Sequence, residues 1–252
     1  MIVYRKHLLR IAEYWDGEEP QREKADLVRY FQQSQPRSGM ICREFYTILI
    51  DLTRDPDQLL GDIKRNTRYE VRRAQARDRL TYQCLTGKDG KALRQFCDYY
   101  DTFAIEKAQP KLNREWLSLL AQAGALVLSQ VNDANGETLV WHVYHCSRER
   151  ATLFYSASLF RKFDSSVVRN KIGRANRYHH WQDMQWFKLD GIATYDLGGW
   201  YQGTSDLQRL SINRFKEEFG GQIVKNYICE RALTLKAKIF LRVRRQLLGD
   251  AI

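Results

Sequence analysis

Residues 192–199 read IATYDLGG and residues 214–221 read RFKEEFGG. The first stretch is β-branched and aromatic, then stops on two glycines, which predicts a short strand over 192–197 feeding a tight turn. The second closes a helix predicted near 205–218. Phe215 and Phe219 are i, i+4 neighbours and fall on a core face. Gly220-Gly221 ends that helix before a strand over 222–228. Gly198 and Gly199 permit positive φ and close approach of backbone to a ligand. Arg214 and Lys216 lie off the Phe face, where a phosphate can reach them.

The pattern continues upstream. Strands are predicted over 125–131, 138–146 and 150–157, with a polar turn at Asn132–Gly136, then a loop over 158–168 and a helix from Gly173 to Gly191. Further back lie a helix over 22–33, a strand over 44–52, a strand over 80–85, and helices over 88–107 and 113–123. Asp55-Pro56 opens a helix running to Gln75, with Asp55 as cap and Pro56 in the first turn. Leu60, Ile63, Thr67, Val71 and Ala74 form its core stripe. A final helix covers 231–248. There is no solenoid repeat and no low-complexity linker. The chain reads as one α/β (α+β) domain over 1–252, with an antiparallel centre and flanking helices. Residues 1–52 and the basic helix 231–248 are its helical additions.

Composition bounds the function. The 252 residues are 44% hydrophobic and 28% charged, which excludes a disordered or fibrous chain. No apolar run approaches the roughly 20 residues that span a bilayer, and residues 1–10 lack the apolar core of a secretory signal. Cys42, Cys84, Cys97, Cys146 and Cys229 are odd in number and form no C-x-x-C pair, so reduced thiols in a cytoplasmic protein are expected, with no metal site. Net charge is 41 − 30 = +11. Residues 63–79 and 225–252 each hold seven basic and two acidic residues, so each carries +5. The partner of these patches is expected to be anionic, or else they are solvated helix faces.

One turn is expected to bind an anion. Asn170-Lys171-Ile172-Gly173-Arg174-Ala175 is placed between a strand and a helix. Backbone amides and the helix dipole would face a pyrophosphate there, with Arg169, Lys171, Arg174 and Arg177 adding full charges.

Gly173-x-Ala175 after a hairpin resembles the acyl-CoA phosphate loop of the GNAT acetyltransferases, with Asn170 where that family has Gln or Arg. Tyr195-Asp196-Leu197-Gly198-Gly199 and Arg214-Phe215-Lys216-x-x-Phe219-Gly220-Gly221 are similar to signatures of the FemA/FemB-like acyltransferases. So is the basic helix ending Arg72-Arg73-Ala74. The segment from Ala175 to Met184 also looks like single-domain relatives that acetylate nucleotide-linked amino sugars. The resemblance implies a GNAT-type mixed, largely antiparallel sheet flanked by helices. It implies an N-acetyltransferase moving acetyl from acetyl-CoA to the amine of a nucleotide-linked amino deoxy sugar, for cell-surface polysaccharide, by direct attack without an acyl-enzyme. The other reading is a FemA/FemB-like aminoacyl transfer from aminoacyl-tRNA onto a peptidoglycan precursor. Nucleic acid is a partner only under that second reading. A homo-oligomer remains open.

Candidate roles follow. His142, Asp196 and Tyr201 are the proton-handling candidates. Arg169, Asn170, Lys171, Gly173, Arg174, Ala175 and Arg177 are expected to hold the CoA phosphates. Arg65, Arg68, Arg72, Tyr155, Ser156, Ser158, Gly198, Gly199 and Lys216 are expected to bind acceptor. On strand 138–146, Val140, His142 and Tyr144 share one face and Trp141, Val143 and His145 the other. His180, Met184 and Phe187 read as core. On the last helix, Ala232, Leu235, Ile239, Val243 and Leu247 form a stripe expected to pack on the domain, while Lys238, Arg242 and Arg245 line another face. The alternative for that helix is a weak peripheral contact with anionic lipid.

Overall fold

The computed structural model describes residues 1–6, 8–16, 24–87 and 89–248, without the side chains of Leu247 and Leu248. The single domain expected over 1–252 divides into two compact units, Met1–Tyr46 with Lys225–Ile252, and Thr47–Val224.

In the smaller unit β1 (Ile2–Lys6) and β2 (Leu9–Tyr14) form an antiparallel hairpin. β2 runs parallel to β3 (Leu27–Gln33). β3 is therefore a strand, which corrects the helix expected over 22–33; Arg22 and Glu23 lie outside the described residues. Charged residues before Leu27 imitate a helix start. Val28, Tyr30 and Phe31 suit a pleated surface instead, and pairing on both edges decides the outcome. The N-terminal part is thus built of strands rather than helical additions.

β4 (Ile41–Asp51) and β10 (Gln222–Ala232) each cross the boundary between units. β10 pairs antiparallel with β3. Cys42 on β4 and Cys229 on β10 are joined as a disulfide, their Cα atoms 4.0 Å apart. That corrects the reading of five reduced thiols. Spacing along the chain carried no sign of it, because the two residues are 187 apart. The last helix, α7 (Leu235–Leu248), closes this unit.

In the larger unit the strand order is β4, β9 (Thr194–Gly199), β8 (Arg150–Ser158), β7 (Thr138–Cys146), β6 (Leu126–Asn132), β5 (Thr81–Thr86). All neighbours are antiparallel except β8 and β9. β7 is apolar and aromatic on both faces and is buried from Leu139 to His145. Its two faces separate as the alternation demands. Trp141 meets Phe96 of α3 (Gly90–Lys107) on one side. His142 and Tyr144 meet Asp183 of α5 (Ser166–Leu189) on the other. α4 (Arg114–Gln122) packs against β6.

The helix expected from Pro56 to Gln75 is two helices, α1 (Pro56–Asp62) and α2 (Arg65–Ala76). Ile63 and Lys64 are extended, at ψ 132° and 141°, and the Lys64 N–H donates to the Glu218 carbonyl. The predicted stripe still packs: Ile63, Thr67, Val71 and Ala74 are buried. α6 (Leu207–Lys216) is capped by Asp206 and followed by a short 3-10 turn to Phe219. Among the described residues no helix is long and apolar enough to cross a membrane.

Candidate functional site

β8 and β9 are parallel and pair only through Arg150–Thr194, Ala151–Tyr195 and Thr152–Asp196. Past that point each strand continues without the other. A bulge on β8 coincides with the parting, since Val143 faces Tyr155 and Tyr144 faces Leu153, which leaves Phe154 as the extra residue. A cavity of about 500 Å³ opens at the divergence. β8 lines it with Leu153 to Ser156 and Ser158, β9 with Leu197 to Gly199, and α6 with Gln208, Phe215 and Lys216. α3 adds Tyr100, Phe103 and Lys107, and α5 adds Asn176 and His180. Of the expected acceptor residues, Tyr155, Ser156, Ser158, Gly198, Gly199 and Lys216 meet here.

Gly198 is required by geometry. Its φ is +74°, and a Cβ would stand 2.8 Å from the Leu153 carbonyl oxygen. Asp196 holds this turn. It accepts the Gly198 N–H at 2.8 Å, Arg150 Nη2 at 2.7 Å and Arg150 Nε at 3.0 Å, with the Thr47 hydroxyl as a further donor. It is fully buried, and its two oxygens are occupied by these donors. Asp196 therefore shapes the cavity wall and does not meet a substrate ammonium.

Lys216 is one of two lysines in the cavity lining, the other being Lys107 of α3. The Lys216 Nζ donates to the Gly199 carbonyl at 2.5 Å. Burial pushes the Lys216 pKa down to about 8, against the smaller opposing pull of Asp196.

Behind the α5 wall lies a buried polar network. His142 Nδ1 is 2.7 Å from Asp183 Oδ2, and His142 Nε2 is 2.9 Å from Asn176 Oδ1. Tyr82 and Tyr144 donate to the same carboxylate at 2.9 and 2.6 Å. Tyr144 also meets Tyr195, which meets His180 Nδ1 at 2.7 Å. Burial holds His179 and His180 well below the usual histidine range, so both stay neutral. His142 is 0% exposed and meets the cavity lining through its hydrogen bond to Asn176 and its ring contact with His180, centroids 4.4 Å apart. With Oδ1 turned toward His142, Asn176 has its Nδ2 donor left for the cavity. His142, His179 and Asp183 bring three ligand-type atoms within 4.8 Å. The His142 and His179 rings are stacked at 3.7 Å and 4°, however. Imidazole lone pairs lie in the ring plane, so two parallel planes cannot aim at one ion.

The remaining expected residues stand elsewhere. Tyr201 lies beyond β9, where its N–H donates to Asn213 and Arg209 lies over its ring. Arg68 caps α1, its Nη1 donating to the carbonyls of Gly61 and Ile63 at 2.6 and 2.8 Å. Arg65 and Arg72 are exposed on α2.

The anion-binding turn over 170–177 is absent. α5 begins at Ser166 and runs through Gly173 without a break, so the amides there belong to the helix. The cations are already engaged: Lys171 with Asp133, Arg174 with Asp78, and Arg177 with Glu218, at 3.1, 2.6 and 2.7 Å. Arg169 lies 5.9 Å from the Phe160 ring. Asn170 is exposed on the helix and Ala175 is fully buried. A lone glycine cannot stop a helix whose neighbours Ile172, Ala175 and Tyr178 all bury on one face.

Sequence reasoning missed Asn176, Lys107, Tyr100 and Phe103, and read His180 only as core. Asn176 and His180 are i, i+4 on α5, while Tyr100, Phe103 and Lys107 follow at i, i+3, i+7 on α3. Those spacings mark a shared face, and a polar residue on an otherwise apolar face was the available signal.

No family model matches the chain, and no curated protein matches it. Solved structures do. FemX aligns with TM-score 0.64 at 14% identity, covering 90% of this chain and 75% of that one. The C-terminal domain of a putative lysylphosphatidylglycerol synthetase from Agrobacterium fabrum aligns with TM-score 0.57 at 13% identity, covering 89% and 74%. L-PGS from Bacillus licheniformis aligns with TM-score 0.51 at 13% identity, covering 86% and 72%. The chain thus shares the fold of these structures, a mixed α/β fold with a large, mostly antiparallel sheet flanked by helices.

Proposed function

We propose that the chain is an acyltransferase that moves an aminoacyl group from an aminoacyl-tRNA ester to an amine, within the cavity between β8 and β9. One observation carries the reading: the parallel strand pair β8–β9, the one such pair among the described residues of the larger unit, separates over that cavity, where Lys216 enters beside a turn that only glycine can make. β8–β9 pairing ends at Thr152–Asp196, and backbone N–H groups where two strands part can serve as donors for the oxygen that becomes negative when an amine attacks a carbonyl. No nucleophilic side chain is needed, because the amine attacks directly.

Lys216 handles the proton. Its neutral form accepts the proton from the attacking nitrogen as the C–N bond forms. The resulting ammonium returns that proton to the departing ester oxygen as the C–O bond breaks. A pKa of about 8 suits both halves of this exchange near neutrality. Asn176 Nδ2 supplies a further donor to the acyl carbonyl, held in place by His142.

The donor preference rests on α5. The stretch expected to cradle acyl-CoA phosphates, 170–177, is an unbroken helix with paired cations, which removes the sequence argument for that donor. The exposed Arg65 and Arg72 of α2 suit a polyanion such as tRNA. Acetyl-CoA with a nucleotide-linked amino sugar would use the same cavity and the same chemistry, and it forms the second arm of the test. Purified protein is offered charged tRNA with peptidoglycan-precursor amines, and separately acetyl-CoA with nucleotide-linked amino sugars. Amide product in the first arm supports the proposal; thiol release in the second arm alone transfers the site to an acyl-CoA enzyme.

A further inference from the structure

The smaller unit carries a surface that its own packing does not consume. α7 buries Ala237 and Leu241, at 0% and 7% exposure, and Arg244 pairs with Glu230. Leu235, Ile239 and Val243 are offset from that face by two residues, about 200° of helical turn. They are 73%, 53% and 46% exposed. The stripe expected to pack is therefore the outward one, and Leu247 of that stripe lies outside the described side chains. A helix that only packs on its own domain needs one apolar face. This one has two.

The outward stripe is continuous with a second exposed apolar group. Lys236 Nζ donates to the Leu8 carbonyl at 3.0 Å, which sets the tip of the β1–β2 hairpin beside the first turn of α7. Leu8 is 88% exposed. Cations border this apolar line. Lys238 and Arg242 are exposed on α7, and Arg5 and Lys24 flank Leu8 around a depression of about 590 Å³. Asp26 in that depression is paired with Lys236 at 2.8 Å.

We propose that this face docks on an anionic lipid bilayer. Leu8, Leu235, Ile239 and Val243 enter the acyl boundary, and Arg5, Lys24, Lys238 and Arg242 meet the headgroup phosphates. A bilayer presents apolar chains beneath a negatively charged layer, which complements a leucine line edged by lysine and arginine. A second copy of the chain would bring these cations face to face. The inference is independent of the cavity's chemistry.

The test is co-sedimentation of the full chain with phosphatidylcholine vesicles, with and without phosphatidylglycerol. Binding is expected only with phosphatidylglycerol, and it should fall as salt rises. Lys238→Ala with Arg242→Ala should weaken partitioning about fivefold per charge removed. Leu235→Ser with Ile239→Ser should abolish sedimentation while leaving the melting curve in place, because both side chains are exposed. No binding to phosphatidylglycerol vesicles at low salt would overturn the proposal. So would binding unchanged in both double variants. A dimer in light scattering that Leu235→Ser with Ile239→Ser converts to monomer would give the stripe to a second copy instead.

Discussion

Gly173 on α5 and Gly198 on β9 each lie close to basic side chains, yet their surroundings differ. At Gly173 the helix is continuous, a Cβ would have only Arg177 Nη1 at 3.7 Å nearby, and the nearby cations Lys171, Arg174 and Arg177 each have a carboxylate. At Gly198 the backbone is left-handed, a Cβ would collide with Leu153, and Lys216 faces a cavity. Glycine beside lysine is thus no signal by itself. What makes a ligand site is a backbone that cannot be relieved next to a charge that has been desolvated.

Changes at the two glycines and their cations sharpen this contrast. The largest effect is expected at Lys216. Lys216→Met should lower single-turnover transfer about a hundredfold or more, the range for loss of a positioned acid–base group. The sign with pH follows from its lowered pKa. The neutral amine is the active form, so the rate should rise as pH climbs through about 8 and fall below it. Lys216→Arg should remove that inflection, because a guanidinium keeps its proton throughout.

Gly198→Ala comes next. Positive φ and a 2.8 Å clash with a backbone oxygen should cost about 2–3 kcal/mol in chemical unfolding and distort the cavity wall. Arg174→Ala removes two bonds to Asp78, of 2.6 and 3.1 Å, and should cost about 1–2 kcal/mol with no change in donor affinity. The smallest effect is at Gly173. Gly173→Ala should stabilise the protein by about 0.5–1 kcal/mol, since alanine is the better helix residue and meets no obstacle. Loss of stability there would mean that α5 is broken at this point after all.

Much of this contrast was legible in the sequence only on one side. The short strand at 194–197, the glycine pair and Lys216 were readable, because β-branched residues, a double glycine and a helix end are local signals. The fate of 170–177 was not, because Asp133, Asp78 and Glu218 approach from distant parts of the chain. β3 was misread for the same reason: its pairing partners lie elsewhere in sequence. The two faces of β7 were read correctly from alternation, yet alternation could not reveal that Asn176 stands between His142 and the cavity. Periodicity on α7 identified the residues that share a face and misjudged what covers it.

The central claim is that the acyl donor enters between β8 and β9. It is tested most directly by calorimetric titration of an amide-linked aminoacyl-adenosine, which mimics the donor's reactive end and does not hydrolyse. The wild-type chain, Gly173→Ala and Gly198→Ala are compared. Equal affinity for the wild type and Gly173→Ala, with binding lost in folded Gly198→Ala, is the expected result. Binding that survives in Gly198→Ala and disappears in Gly173→Ala would place the donor on α5 and contradict it.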